Sequence, residues 1–399
     1  MEKSELVALL SPEGLRVLDS LPEYDSAKDV VAVVSELRSA GHPPALVSAV
    51  MNQSRLRRRA RAKFGDFADR MLFTEAGLEQ ATRLTVAALH ARRFRDAGCT
   101  SVADLGSGIG GDALALAALG VDVTAVERDE VTAAVASYNL APWEHARVVH
   151  GDAESFGLEG FEGVFLDPAR RDGVRRLKNS ADWSPSLEFA FGLGKTLPTG
   201  VKLGPGIDRG LVPDTAEAQW VSVGGEVVEL GVWFGALARP GIRRAALVIS
   251  EHDGQVSSAE LTAEADSPDV EVGPLGEYVY EPDGSVIRAR LIGQLARELG
   301  ATMLSEQIAW LSSSTRTETP FAARFRVIES LPFDVRTLKK LVAARELGTL
   351  EIKKRGVDVD PAELRKRLAP RGPNSATLIL TRVAGRRTAL LAERDRSHD

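Results

Sequence analysis

Two textures of apolar spacing divide the chain. Up to about residue 95, hydrophobic positions recur at helical spacing, as in Val30, Val33, Val34 and Leu37, and predict helices. From Thr100, short β-branched runs alternate with Ala- and Leu-rich helical stretches. The pattern predicts strands at 101–105, 121–126, 147–150, 163–166, 201–203, 220–223 and 245–250, with helices at 112–119 and 131–139. Such βαβα alternation specifies a parallel, doubly wound sheet with helices on both faces, whose ligands sit at the carboxyl ends of the strands. Residues 251–284 have little periodicity and read as a loop-rich excursion with one hairpin, followed by a helix at 286–299. Beyond residue 324 come a strand (325–328), a helix (335–345), a strand (350–353), a helix (361–368) and two strands (376–382 and 388–393) around a turn containing Gly385, a hairpin signal. The pattern thus predicts a helical region at 1–95, a sheet domain at 96–320 and a compact α+β domain at 321–394. A length of 399 residues, too great for one typical core, agrees.

Charge adds a second division. The net −6 hides 17 Lys and Arg against 8 Asp and Glu in residues 321–394, a local +9 that leaves −15 for the rest. Residues 251–284 hold ten acids and no Lys or Arg. A basic module on an acidic body predicts a polyanionic partner met at one end. A second basic run, Arg55 to Lys63, has six cations and no acid; it reads equally as an RNA-facing helix or a solvated one. The single cysteine, Cys99, excludes an internal disulfide and a cysteine-rich zinc site, and the six histidines lack ligand spacing, so no metal is expected. No apolar run approaches the roughly 20 residues of a membrane span. The first ten residues are acidic where a signal peptide would be basic, so a cytoplasmic protein is the expectation.

The candidate chemistry begins where the strand at 101–105 runs into Gly106-Ser-Gly-Ile-Gly-Gly-Asp112. Glycines 106, 108 and 111 match the dinucleotide pattern G-x-G-x-x-G, a weak signal alone. Asp104, two residues before the first glycine, argues against a pyrophosphate at the turn, because a carboxylate repels it. The ammonium and sulfonium of S-adenosylmethionine are attracted instead. Glu127, ending the second strand 21 residues after Gly106, is placed to accept hydrogen bonds from both ribose hydroxyls of either cofactor. Asp152, after the third strand, is placed to reach an adenine amine. With these acids in register at strand ends, the chain resembles class I S-adenosylmethionine-dependent methyltransferases over residues 100–250. The resemblance implies a Rossmann-like sheet, with Asp104, Gly106, Gly108 and Gly110 holding the methionine part, Glu127 the ribose and Asp152 the adenine.

The fourth predicted strand ends in Leu166-Asp-Pro-Ala-Arg-Arg171. Methyltransferases acting on exocyclic amines carry Asp/Asn-Pro-Pro-aromatic here, the acid holding the amine and the ring stacking on the base. Asp167 and Pro168 fit as catalytic candidates; Ala169 and Arg170 depart. Arg170 is the candidate to stack or hold a phosphate in place of the ring, Arg171 is a candidate substrate contact, and Phe156 or Trp183 is an alternative ring. Methylation at pyrimidine carbon-5 needs a cysteine nucleophile. Cys99 precedes the first strand, far from this motif, so that chemistry is disfavoured.

A finer resemblance rests on Phe73-Thr-Glu-Ala-Gly-Leu-Glu-Gln-Ala-Thr82, on 166–171, on Tyr280-Glu-Pro-Asp283 with Ile287-Arg-Ala289, and on Ile352-Lys-Lys-Arg-Gly-Val357. It is to actinobacterial methyltransferases with a THUMP-like C-terminal domain. By analogy with THUMP domains, which bind structured RNA, it implies tRNA or rRNA as partner, with Lys353, Lys354 and Arg355 as substrate contacts. Phe73 and Thr74 are candidates to line the cofactor pocket, Thr74 equally to cap a helix. The expected function is methylation of a base in RNA, a purine exocyclic amine favoured. The alternatives are a small-molecule or protein methyltransferase, or a non-catalytic RNA-binding protein.

Overall fold

The computed structural model describes residues 2–22, 26–168, 171–172, 175–176, 183–252 and 255–395. The chain divides into two compact units, Met1–Leu203 with Val232–Ala238, and Gly204–Gly231 with Arg239–Asp399.

The first unit opens with helices α1 (Lys3–Leu9), α2 (Pro12–Asp19), α3 (Ala27–Ser39), α4 (Pro44–Phe64), α5 (Glu75–Gln80) and α6 (Leu84–Asp96). Their starts follow from local chemistry: Ser11 and Ser26 cap α2 and α3, and Pro12 stands at the first turn of α2. Five parallel strands follow in the order β7-β4-β1-β2-β3: β1 (Ser101–Leu105), β2 (Asp122–Glu127), β3 (Ala146–His150), β4 (Gly163–Leu166) and β7 (Thr199–Leu203). Helices α7 (Gly111–Ala118), α8 (Glu130–Leu140) and α9 (Leu187–Leu193) connect them, and β5 (Arg171–Asp172) pairs with β6 (Arg175–Arg176) in a short antiparallel ladder. The opening helices share one core with this sheet. Leu56, Phe64, Leu72 and Phe73 are buried in the same apolar cluster as Ile109, Leu114 and Phe165. The Asn139 side chain of α8 accepts from Leu72 N at 2.8 Å and donates to the Leu72 and Ile109 carbonyls. The described residues of 1–95 thus contribute to a core shared with the sheet.

The structure also settles the basic run of α4. Arg55 and Arg59 pair with Glu75, Arg61 pairs with Asp69 at 2.9 Å, and Arg57 reaches Asp19 at 3.1 Å and the Met71 carbonyl at 3.0 Å. Its charge is matched internally more than the sequence suggests.

In the second unit β8 (Glu217–Val223) runs parallel to β10 (Arg244–His252), which forms a hairpin with β11 (Gln255–Ala263). Strand β9 (Glu226–Phe234) is divided between the two units. A seven-stranded sheet follows, β13-β14-β12-β15-β18-β17-β16. Its members are β12 (Tyr278–Pro282), β13 (Thr302–Ser305), β14 (Ile308–Ser313), β15 (Ala322–Pro332), β16 (Leu347–Lys354), β17 (Asn374–Val383) and β18 (Arg386–Arg394); α10 (Gly284–Arg288) and α11 (Ile292–Leu299) lie between β12 and β13. Helices α12 (Val335–Ala344) and α13 (Pro361–Leu368) bury Leu338, Leu341, Leu364 and Leu368 on one face of the sheet, with Leu350, Leu378 and Leu391. Another cluster joins Val279 and Trp310 to Phe325, Ile379 and Leu390. The four strands within 321–394 are thus continuous, in pairing and in core, with β12–β14. The β17–β18 hairpin turns through Ala384 and Gly385, both with positive φ, which matches strand twist. Among the described residues no helix is long and apolar enough to cross a membrane.

Candidate functional site

Register brings the sequence candidates to one edge of the first unit's sheet. Leu105 aligns with Val126 and with Leu166, Glu127 with His150, and Leu166 with Val201. Gly106, Glu127, Asp152 and Asp167 therefore all lie at carboxyl strand ends. The turn after β1 needs glycine twice over. Gly106 has φ +80°, and a Cβ there would stand 3.3 Å from the Asp167 carbonyl oxygen; Gly108 and Gly110 also have positive φ, at +56° and +84°. The Gly106 and Ser107 amides both donate to the Val126 carbonyl, at 2.9 and 3.1 Å. Glu127 accepts the Gly108 amide at 3.0 Å and the Asp129 amide at 2.8 Å, so it braces the loop as well as facing the edge. Asp152 is exposed and accepts the Glu154 amide at 2.9 Å.

Asp104 is buried, and its Oδ2 has no hydrogen-bond partner; the buried Ser107 hydroxyl has none either. Burial pushes the Asp104 carboxyl well above the carboxylate range, helped by the charges of Asp112 and Asp167, with Lys202 and the Ala113 amide opposing. The simple expectation of a standing carboxylate at this turn is modified accordingly. In the free protein Asp104 is biased toward its neutral form.

Asp167 stands just past β4, partly exposed, with Pro168 buried behind it. Its Oδ2 lies 2.5 Å from Lys202 Nζ, and Lys202 donates onward to Thr82 Oγ1 at 2.9 Å. The Thr82 hydroxyl donates to Asp112 Oδ2 at 2.6 Å, and His90 Nδ1 lies 2.8 Å from Asp112 Oδ1. Burial alone would raise the Asp112 carboxyl; the hydrogen bond and charge of His90, then Lys202 and Thr82, outweigh it and hold it low. Sequence reasoning missed this chain of side chains. Its signals were a lysine inside the apolar run Thr199-Gly-Val-Lys-Leu203, and a histidine on the apolar stripe Val86, His90, Phe94 of α6.

Other candidates land elsewhere. Phe73 is fully buried, 5.7 Å from Phe64, its backbone held by Gln53. Thr74 caps α5 by accepting the Gly77 amide at 2.9 Å, the second of its two expected roles. Phe156 rests 5.8 Å from Phe161, and Trp183 is buried. Arg170 lies outside the described residues, and of Arg171 only the backbone, in β5, is described. Cys99 is buried ahead of β1, where burial and Glu162 raise its thiol, at the opposite end of that strand from the glycine turn. Among the described residues no group of three His, Cys, Asp or Glu is placed to hold a metal.

The basic triplet is also redistributed. Lys353 pairs with Glu281 at 2.6 Å, and Arg355 donates to the Ala309 carbonyl at 2.7 Å beside the Trp310 ring, while Lys354 alone of the three is exposed. Alternation along the strand end turns 353 and 355 inward and 354 outward. The outer faces of α12 and α13 instead expose Arg336, Lys339, Lys340, Lys366 and Arg367.

Known proteins share this architecture. A family profile described as THUMP domain-like matches residues 322–394, and one described as a domain of unknown function matches 3–60. Proteins of Mycobacterium tuberculosis strains CDC 1551 and H37Rv, each named an uncharacterized S-adenosylmethionine-dependent methyltransferase, are 35% identical over 343 residues, covering 82% of this chain and 90% of theirs. A crystal structure from Porphyromonas gingivalis W83, assigned as a methyltransferase, superposes with a TM-score of 0.72 at 24% identity, covering 94% of this chain and all of that one. The chain belongs to the S-adenosylmethionine-dependent methyltransferases and carries a THUMP-like domain over residues 322–394.

Proposed function

We propose that this methyltransferase modifies a base in structured RNA, tRNA or rRNA, at a purine exocyclic amine. The observation that carries the reading is the pairing, in one chain, of an Asp-Pro strand end beside the glycine turn with a THUMP-like domain whose helix layer exposes cations on its outer face. The unpartnered Asp104 oxygen and the positive-φ glycines fit the cofactor. Asp104, Gly106, Gly108 and Gly110 would hold its methionine part, Glu127 its ribose and Asp152 its adenine. S-adenosylmethionine supplies an electrophilic methyl carbon to an in-line displacement, which needs positioning and a dry site above all. Asp167 would accept an N–H of the target amine, aim the nitrogen, and take up the proton released as the nitrogen–carbon bond forms and the methyl–sulfur bond breaks, with the thioether as leaving group.

The raised Asp104 carboxyl has a testable consequence. An ammonium docking nearby favours its ionised form, so cofactor binding should release a proton and tighten as pH rises. Calorimetry in buffers of different ionisation enthalpy measures that release. For stability the sign is opposite. The folded state holds this proton above the unfolded pKa, so wild type loses stability as pH rises from about 4. Asp104→Asn should therefore raise the melting temperature near neutral pH while weakening the cofactor. A variant that is less stable at neutral pH would show that Asp104 is held ionised.

The RNA reading is tested by mass spectrometry of nucleosides from a strain lacking the gene, with and without the purified enzyme. A missing methylpurine restored by the enzyme is expected; an unchanged RNA with a methylated protein or metabolite would transfer the assignment to that class. Reversing the charges of Lys339, Lys340, Lys366 and Arg367 should weaken RNA binding and flatten its log–log salt slope by about 2 to 3 units, close to one per lost phosphate contact. An unchanged slope would make this face a solvated surface.

A further inference from the structure

A lysine in a buried strand must be matched by charge or it destabilises the fold. All five residues of β7 are buried, and the Lys202 side chain is 11% exposed. Its ammonium joins β7 to two segments that are distant in sequence. It meets Asp167 at the end of β4, Thr82 in the link between α5 and α6, and the Gln80 carbonyl at 3.5 Å. Thr82 is itself fixed by Asp112, the second residue of the helix that the glycine turn opens, and Asp112 by His90. Among the described residues, the charged and titratable groups around Lys202 include Asp104 from β1, Asp112 from α7, Asp167 from β4 and Lys63 from α4, with His90 from α6 bonded to Asp112. Lys63 is held by the carbonyls of Leu78, Glu79 and Ala81, each at 2.8 Å, and burial with the Lys202 charge lowers its ammonium to about 8. Lys63 is thus fixed on backbone oxygens at the end of α5, and Lys202 is the cation whose ion pair reaches Asp167.

Asp104 is biased toward its neutral form and Asp112 is bonded to His90, so the ion pair of Lys202 is directed to Asp167. Lys202 is anchored through Thr82 and placed 2.5 Å from Asp167, the more exposed of these carboxyls, at the edge where the acceptor must arrive. We infer that Lys202 is a positioning residue for methyl transfer, fixing the Asp167 carboxylate in the orientation that receives the acceptor amine, with Thr82 as its anchor. The inference rests on the reading that Asp167 touches the acceptor. It ties that carboxylate, through Thr82 and Asp112, to the first turn of the helix that follows the cofactor loop.

The test uses the full-length enzyme with Lys202→Met, Lys202→Arg, Thr82→Val, Asp167→Asn and the Lys202→Met/Asp167→Asn double variant. Carboxyl carbon-13 NMR of protein bound to S-adenosylhomocysteine gives a readout independent of any acceptor. In Lys202→Met the Asp167 signal should titrate at higher pH than in wild type, with Lys202→Arg close to wild type. An unmoved Asp167 titration overturns the inference. Single-turnover transfer to RNA from the deletion strain gives the second readout. Lys202→Met should slow transfer about 100-fold, the scale of an ångström of misplacement, with cofactor affinity little changed. The loss should vanish in the Asp167→Asn background, because both changes act through one group. If Asp167→Asn is slow and Lys202→Met transfers normally, the positioning role is wrong. If Asp167→Asn transfers normally, the acceptor reading is wrong, and the NMR titration still decides whether Lys202 governs Asp167. Should Lys202→Met not fold, Thr82→Val tests the same anchor, and normal transfer with an unmoved Asp167 signal there overturns the inference.

Discussion

Asp167→Asn should slow methyl transfer by about 10²- to 10⁴-fold, the range for a positioned proton acceptor, while leaving the S-adenosylmethionine dissociation constant within about threefold of wild type. Asparagine is the informative replacement because of Lys202. Alanine would leave that buried ammonium without its 2.5 Å partner, so lost stability would be mixed with lost chemistry. Asparagine keeps the volume and an acceptor oxygen for Lys202 and removes the charge. Single-turnover kinetics measure the first quantity and calorimetry the second. A variant with wild-type turnover would place the acceptor contact away from β4. One that loses turnover and cofactor affinity together would place Asp167 in the cofactor pocket.

Glu127→Ala should weaken S-adenosylmethionine by about 1.5–3 kcal/mol, the cost of a hydrogen bond to a charged group, or roughly 10- to 150-fold. The structure gives this loss two sources. On the proposed reading the carboxylate at the end of β2 takes the ribose hydroxyls, and in the structure it accepts the Gly108 and Asp129 amides that shape the loop. The unoccupied loop should therefore become more mobile, visible as faster amide exchange at Gly108. Wild type should bind S-adenosylhomocysteine and fail to bind NAD, as a member of the S-adenosylmethionine-dependent methyltransferases whose Asp104 gains from ionising beside an ammonium and not beside a pyrophosphate. Tight NAD binding by wild type, or an alanine variant with unchanged S-adenosylmethionine affinity, would count against this assignment of the strand ends.

Local pattern was enough for the elements around the cofactor site. Strand 163–166 is predicted at its observed limits, and 101–105 likewise, because each is a short, mainly apolar run closed by a turn signal, Asp167-Pro168 or Gly106. Helix 361–368 was equally legible, with Asp360 capping it and Pro361 at its first turn. Strands β12, β13 and β14 were missed. Their pairing joins residues far apart in sequence, such as Val279 with Phe325, and β14, buried at all six positions, has no alternation to read.

The sequence by itself determined the glycine turn, the acids at successive strand ends and the basic character of residues 321–394, since each is a matter of residue type at short spacing. Tertiary structure decided which charges remain available. Lys353 and Arg355 turned inward onto Glu281 and Ala309, and the arginines of α4 found Glu75, Asp69 and Asp19, because an ion pair depends on a partner that sequence distance hides. It also decided the state of Asp104 and the company of Asp167. Burial beside two other carboxyls raises Asp104, and Lys202, 35 positions downstream of Asp167, reaches it because parallel strands β4 and β7 lie side by side. Desolvation and long-range pairing belong to the folded chain, and no local window of residues carries them.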